Sequence, residues 1–133
     1  MNPVIHFEMP YHDAKRAAKF YAAVFGWKTN FLGEESGHYL LVTTAEKDAY
    51  PDQPRGAIQG GLFPFNPDWP LRDPSIVIGV EDIQAAMNRI KKSGGELLGE
   101  PMTIPEIGKY VSFTDTEGNR NSILQPVDDG WKV

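Results

Sequence analysis

Two side chains near the N-terminus have the types and spacing for acid–base chemistry: His6 and Glu8. If residues 4–9 form a strand, side chains two apart share a face, so the imidazole and the carboxylate stand side by side. A histidine beside a carboxylate titrates near neutrality, which suits a general acid or base. The same pair could be half of a metal site, or a polar pair that only hydrogen-bonds water or a neighbour. Arg120 and Ser122 share a face near the other end of the chain. There a guanidinium could grip a carboxylate or phosphate, or pair with Glu8 or a surface acid. Tyr39, Phe63, Phe65, Trp69, Tyr110 and Trp131 could wall a small-ligand cavity or simply pack. His12 and His38 are expected in solvent, and Lys15, Arg16 and Lys19 read as a solvated helix face. The glycine pairs 60–61 and 94–95 lack the spacing of a phosphate loop, and no serine sits in a nucleophile elbow.

These residues sit in a chain of 133 residues with formal net charge -5 and no cysteine. The length is that of one domain with room for a real core. The acidic balance argues against a nucleic-acid partner, because phosphate binding needs a positive footprint. Absent cysteines exclude disulfides, thiolate nucleophiles and zinc–thiolate sites. Residues 1–10 lack the basic and apolar regions of a signal peptide, and the apolar run 20–27 is too short to span a membrane. A cytoplasmic protein without a membrane partner is expected.

The elements that must position the candidates come in two matching sets. Ala14, Ala17, Ala18, Tyr21 and Phe25 recur at helical spacing, with Asp13 as N-cap and Gly26 as stop. Ile83, Ala86, Met87 and Ile90 form a second stripe, with Asp82 as cap, Lys91 and Lys92 at the end the dipole favours for cations, and Gly94-Gly95 as stop. Strands at 4–9 and 75–80 precede the helices. A constant offset of 69 relates His6 to Ser75, Asp13 to Asp82, Ala17 to Ala86 and Gly26 to Gly95. Strand patterns follow at 27–32, 38–44 and 57–63, then at 96–104, 110–114 and 119–125. Asp115-Thr116-Glu117-Gly118 reads as a type I turn closed by glycine. The expectation is an α+β chain of two tandem βαβββ modules, about 4–63 and 75–126, with a stiff proline-rich linker at 64–74 and a tail at 127–133. On the strands, Ile5 and Phe7, and Ile76, Ile78 and Val80, should face the helices. His6, Glu8, Ser75, Arg120 and Ser122 should face the other way.

The run Phe20-Tyr21-Ala22-Ala23-Val24-Phe25-Gly26-Trp27, the Glu81-Asp82 strand end, Gly94-Gly95 and the hairpin Asp115-Thr116-Glu117-Gly118-Asn119 together resemble the vicinal oxygen chelate superfamily of glyoxalase, bleomycin-resistance and extradiol-dioxygenase proteins. The resemblance covers residues 4–126. It implies curled mixed sheets around a concave cavity, helices on the outside, and, in metal-dependent members, four inward ligands. Carried over singly, those positions hold His6, Gln59, Ser75 and Ser122. One imidazole, one amide and two alcohols, with no anion among them, hold a divalent ion poorly. The metal set is therefore expected to be empty, with no cofactor, although Glu8 or His38 could complete an atypical site. His6 and Glu8 are the catalytic candidates; Gln59, Ser75, Arg120, Ser122, Tyr110 and Trp69 are the ligand-binding ones. Three functions stay open: metal-independent binding of a small organic molecule with acid–base chemistry, a metal-dependent lyase, isomerase or dioxygenase, and sequestration without turnover. A homodimer is expected, since exposed sheet edges gain from pairing.

Overall fold

The computed structural model describes residues 1–45, 58–69 and 72–127. Most of the stretch 45–56, the first residue of the strand read at 57–63, Pro70 of the linker, and Trp131 with nearly all of the tail lie outside them. The chain divides into two compact units, His6–Pro74 and Met1–Ile5 with Ser75–Val133.

In the first unit, β1 (Val4–Tyr11), which belongs to it from His6 onward, leads into α1 (Ala14–Phe25). β2 (Lys28–Phe31), β3 (Leu40–Thr43) and β4 (Gln59–Pro64) follow, giving the sheet order β2-β3-β4-β1. β1 and β4 run parallel, and the other pairs are antiparallel. Asp13 caps α1 by accepting from the Arg16 amide at 3.0 Å, and Gly26 ends it in the left-handed region at φ 73°. Leu40, Val42 and Leu62 are buried, and Phe7, Met9, Tyr11, Ala17, Ala18, Tyr21 and Trp27 pack against them. Thus Phe7 faces the helix and its neighbours His6 and Glu8 face away, as the alternation requires. Phe25 departs from the expected stripe. It is 61 % exposed, and no α1 residue is fully buried.

The second unit repeats the plan with β5 (Ser75–Gly79), α2 (Ile83–Lys92), β6 (Glu96–Leu97), β7 (Met102–Ile104), β8 (Gly108–Thr114) and β9 (Arg120–Pro126). Its order is β5-β9-β8-β6, with β7 also on β8; β5 and β9 are parallel, as β1 and β4 are. The strand expected at 96–104 is two strands. Gly99, at φ 109°, and Pro101 fall between them, where a left-handed residue and a missing amide break the ladder. Asp82 caps α2 through the Ala85 amide at 3.1 Å, and Ile83, Ala86 and Met87 join Val80, Val111, Phe113 and Ile123 in the core. Ile78 packs there too, but Ile76 is 36 % exposed while Val77 and Ser75 are buried. The left-handed helix stop is Gly94 (φ 95°) and not Gly95, so the offset slips from 69 to 68 at this point. Gly95 is needed for another reason: an added Cβ would meet the Ile90 side chain at 2.7 Å.

Candidate functional site

β1 presents His6 and Glu8 on the face turned away from α1, and β4 lies beside it in parallel register, His6 opposite Gln59 and Glu8 opposite Gly61. A third side chain joins them. Tyr39, just ahead of β3, places its hydroxyl 2.8 Å from His6 Nε2 and donates to Glu8 Oε2 at 3.0 Å. Its ring lies 6.4 Å from the imidazole, within 18° of parallel. Gly61 creates the room, since a Cβ there would run into the phenol ring of Tyr39. Gly60 does the same for Phe7 on the other face. The glycine pair that forms no phosphate loop is thus a seat for two rings.

The phenol has one proton, so the direction of these bonds fixes the histidine. With Tyr39 donating to Glu8, the His6 contact requires Nε2–H to donate to the phenol oxygen. Nδ1 is then the imidazole's lone pair. Burial pushes the His6 pKa below its ordinary 6.5, partly opposed by the charge of Glu8. The result is a neutral imidazole, oriented by a phenol that is itself held by a carboxylate. Such a chain can take a proton at Nδ1 while the acquired charge is stabilised through Tyr39.

Gln59 stands beside His6 in register, but its amide is used elsewhere. Its Oε1 accepts from the Thr44 amide at 2.6 Å and its Nε2 donates to the Ala45 carbonyl at 3.0 Å. His38 is exposed at φ 57°, its ring against Phe31 and its carbonyl accepting from the Tyr11 hydroxyl at 2.6 Å. Trp69 is 48 % exposed, and among the described residues no hydrogen bond or ring contact joins it to His6 or Glu8. His12 is exposed against Phe65. A shallow cleft of about 350 Å³ opens beside it, lined by Pro10, Tyr11, Asp13, Arg16 and Phe20, and neither His6 nor Glu8 lines it.

The second unit gathers the remaining candidates. Arg120 Nη2 donates to Ser112 Oγ at 2.6 Å and to Tyr110 OH at 3.4 Å, and Nη1 donates to Ser75 Oγ at 3.4 Å. Ser122 donates to Tyr110 OH at 2.6 Å and lies 3.0 Å from Ser112. The sequence reading missed Ser112 and the linking role of Tyr39. Ser112 is opposite Ser122 across β8 and β9, a pairing that only the hairpin register reveals. Neither family ligand position here, Ser75 or Ser122, offers an anion, and Ser75 already receives a cation. Among the described residues, no cluster of three or more histidines and carboxylates is placed to hold a metal. This donor set does not fit a divalent ion.

Comparison with known proteins fits this architecture. Residues 4–123 match the model of the Glyoxalase/Bleomycin resistance protein/Dioxygenase superfamily. A glyoxylase-like domain-containing protein of Didymella fabae is 31 % identical over 121 residues, covering 87 % of this chain and 88 % of that one. A putative glyoxylase of Mycobacterium bovis is 26 % identical over 111 residues; the match spans 80 % of this chain but only 39 % of that protein. Among solved structures, a hypothetical protein from Bacillus halodurans superposes with a TM-score of 0.71 at 15 % identity, covering 97 % of each chain. Methylmalonyl-CoA epimerase from Mycobacterium tuberculosis superposes at 0.68 and 16 % identity, covering 98 % of this chain and 91 % of that one. With duplicated units, a family model over nearly its whole length and close structural neighbours, the chain belongs to the glyoxalase/bleomycin resistance protein/dioxygenase superfamily.

Proposed function

We propose that this protein binds a small organic molecule and moves a proton on it without a catalytic metal, His6 acting as the base. The carrying observation is the chain His6–Tyr39–Glu8, with contacts of 2.8 and 3.0 Å. Burial keeps the imidazole neutral near pH 7, and Nδ1 is its basic nitrogen. A proton removed from a carbon next to a carbonyl would pass to Nδ1. The resulting imidazolium, donating from Nε2, would be held through the phenol to Glu8. General bases of this kind contribute roughly 10²–10⁴ in rate. The donor set supports metal independence: Gln59 is committed to the backbone and Ser75 to Arg120. A homodimer belongs to the same proposal, supported by the exposed Phe20, Val24 and Phe25 on α1, which a partner would cover.

The test needs no known substrate. A panel of small α-carbonyl compounds is incubated in D₂O with protein dialysed against chelator, and carbon–hydrogen exchange is followed by NMR. Exchange that survives chelation and disappears in His6→Ala supports the proposal. Exchange that needs added metal, or is unchanged in His6→Ala, overturns it.

A further inference from the structure

Tyr39 stands one residue ahead of β3, at the end of a loop that leaves β2 at Phe31. Alternation decides its face. Leu40 and Val42 are buried in the core that α1 packs on, so Tyr39 and Leu41 stand on the opposite side, with His6 and Glu8. How far the phenol reaches along that face depends on the backbone where the loop enters the strand. Gly37 and His38 are both left-handed there, at φ 65° and 57°. A residue with a Cβ avoids that region unless its surroundings hold it in place. Three contacts hold His38. Its amide donates to the Gly33 carbonyl at 3.2 Å, its ring lies 6.2 Å from that of Phe31, and its carbonyl accepts from the Tyr11 hydroxyl at 2.6 Å. The last is short even for a bond between two oxygens. Burial raises the Tyr11 pKa above its ordinary 10.0, so the phenol keeps the proton it donates.

β1 thus meets this corner from both of its faces. On one, His6 and Glu8 hold the Tyr39 hydroxyl. On the other, Tyr11 packs with Leu40, Val42 and Leu62 and reaches the peptide that joins His38 to Tyr39. All of these residues lie in the unit His6–Pro74. We propose that Tyr11 is a positioning residue for the proton-handling chain: its hydroxyl fixes the left-handed His38, and His38 aims the Tyr39 phenol between His6 and Glu8. The proposal deepens the reading of His6 as a base and rests on it. The Tyr11 ring belongs to the core, and the hydroxyl alone carries the positioning role.

The proton on His6 Nε2, donated to Tyr39, reports the aim directly and needs no substrate. Its exchange with water is read by NMR in the full ¹⁵N-labelled chain, with the melting temperature measured beside it. Tyr39→Phe removes the acceptor and should speed that exchange sharply. Tyr11→Phe keeps the ring and should speed it about fivefold, the worth of one hydrogen bond between neutral groups. Adding His38→Gly to Tyr11→Phe should restore most of the protection, because glycine takes the left-handed conformation unaided. A contact that only stabilised the fold would lower the melting temperature and leave the Nε2 proton unmoved. That result overturns the proposal, as does a double variant no better protected than Tyr11→Phe. Where Tyr11→Phe does not fold, His38→Val decides: its branched side chain resists the left-handed region, so unchanged exchange overturns the aim through His38. Exchange that responds to Tyr39→Phe and not to Tyr11→Phe removes Tyr11 alone. Exchange unchanged by Tyr39→Phe overturns the chain His6–Tyr39–Glu8 itself, and the role of Tyr11 falls with it.

Discussion

A histidine with only water for a neighbour titrates near its ordinary value; His6 does not, because burial penalises its charged form. The unfolded chain takes up a proton near pH 6.5 and the folded chain at lower pH, so His6 costs no stability above 6.5. It withdraws stability as pH falls through that value toward its folded pKa. Unfolding measured from pH 7.5 to 5 should show this fall, and His6→Gln should flatten it; an unchanged slope would remove His6 as its source. Replacing Tyr39 by Phe deletes the link to Glu8 without changing the ring. Turnover should drop about tenfold or more, the worth of a hydrogen bond to a charged group. Equal turnover in the two proteins would reduce Tyr39 to packing. His6 and Glu8 were legible as neighbours because strand alternation is a two-residue rule. Tyr39 was not, since it arrives from 33 residues away, across a loop whose path no local pattern specifies. The one available hint was Gly60-Gly61 inside a strand, which marks a close approach without saying by what.

The elements explain how firmly each candidate is held. Gly61→Ala forces a Cβ into the Tyr39 ring. The change should destabilise by about 1–3 kcal/mol, as overpacking does, and should also bring the His6 pKa back toward 6.5 as the phenol is displaced. Loss of stability with no movement of the His6 titration would separate Gly61 from the site. The two helices differ in the same way. Ile83→Ala, buried in the second unit, should cost about 2–5 kcal/mol, whereas Phe25→Ala, mostly exposed in the single chain, should cost no more than about 0.5 there and show its effect in weakened dimer association. Chemical denaturation of both variants checks this, and similar losses would contradict the assigned cores. Helix starts were readable, because Asp13 and Asp82 cap through local chemistry. The break between β6 and β7 was marked in the sequence by Gly99 and Pro101, but a strand can carry such residues at a bulge or an edge, and the φ of 109° at Gly99 shows that here the ladder stops.

For the whole molecule, duplication was the most legible feature: caps, stripes and strands recur at nearly one offset, and each unit closes with its first and last strands parallel. What the repeats have made of that plan differs. One unit carries a histidine, a phenol and a carboxylate, and the other an arginine among hydroxyls, so equivalent positions such as His6 and Ser75 have diverged to unlike chemistry. The proposed dimer is checked by sedimentation velocity over a hundredfold concentration range. A two-chain species that Phe20→Lys shifts to one chain is expected, and a single chain throughout would contradict it. The central claim is that His6 handles protons and does not ligate a metal. Long-range ¹⁵N NMR of its imidazole, with zinc added to one equivalent, tests that most directly. The account predicts a neutral ring protonated at Nε2, titrating below 6.5 and indifferent to the zinc. An Nε2 that exchanges its proton for the metal at one equivalent would contradict it.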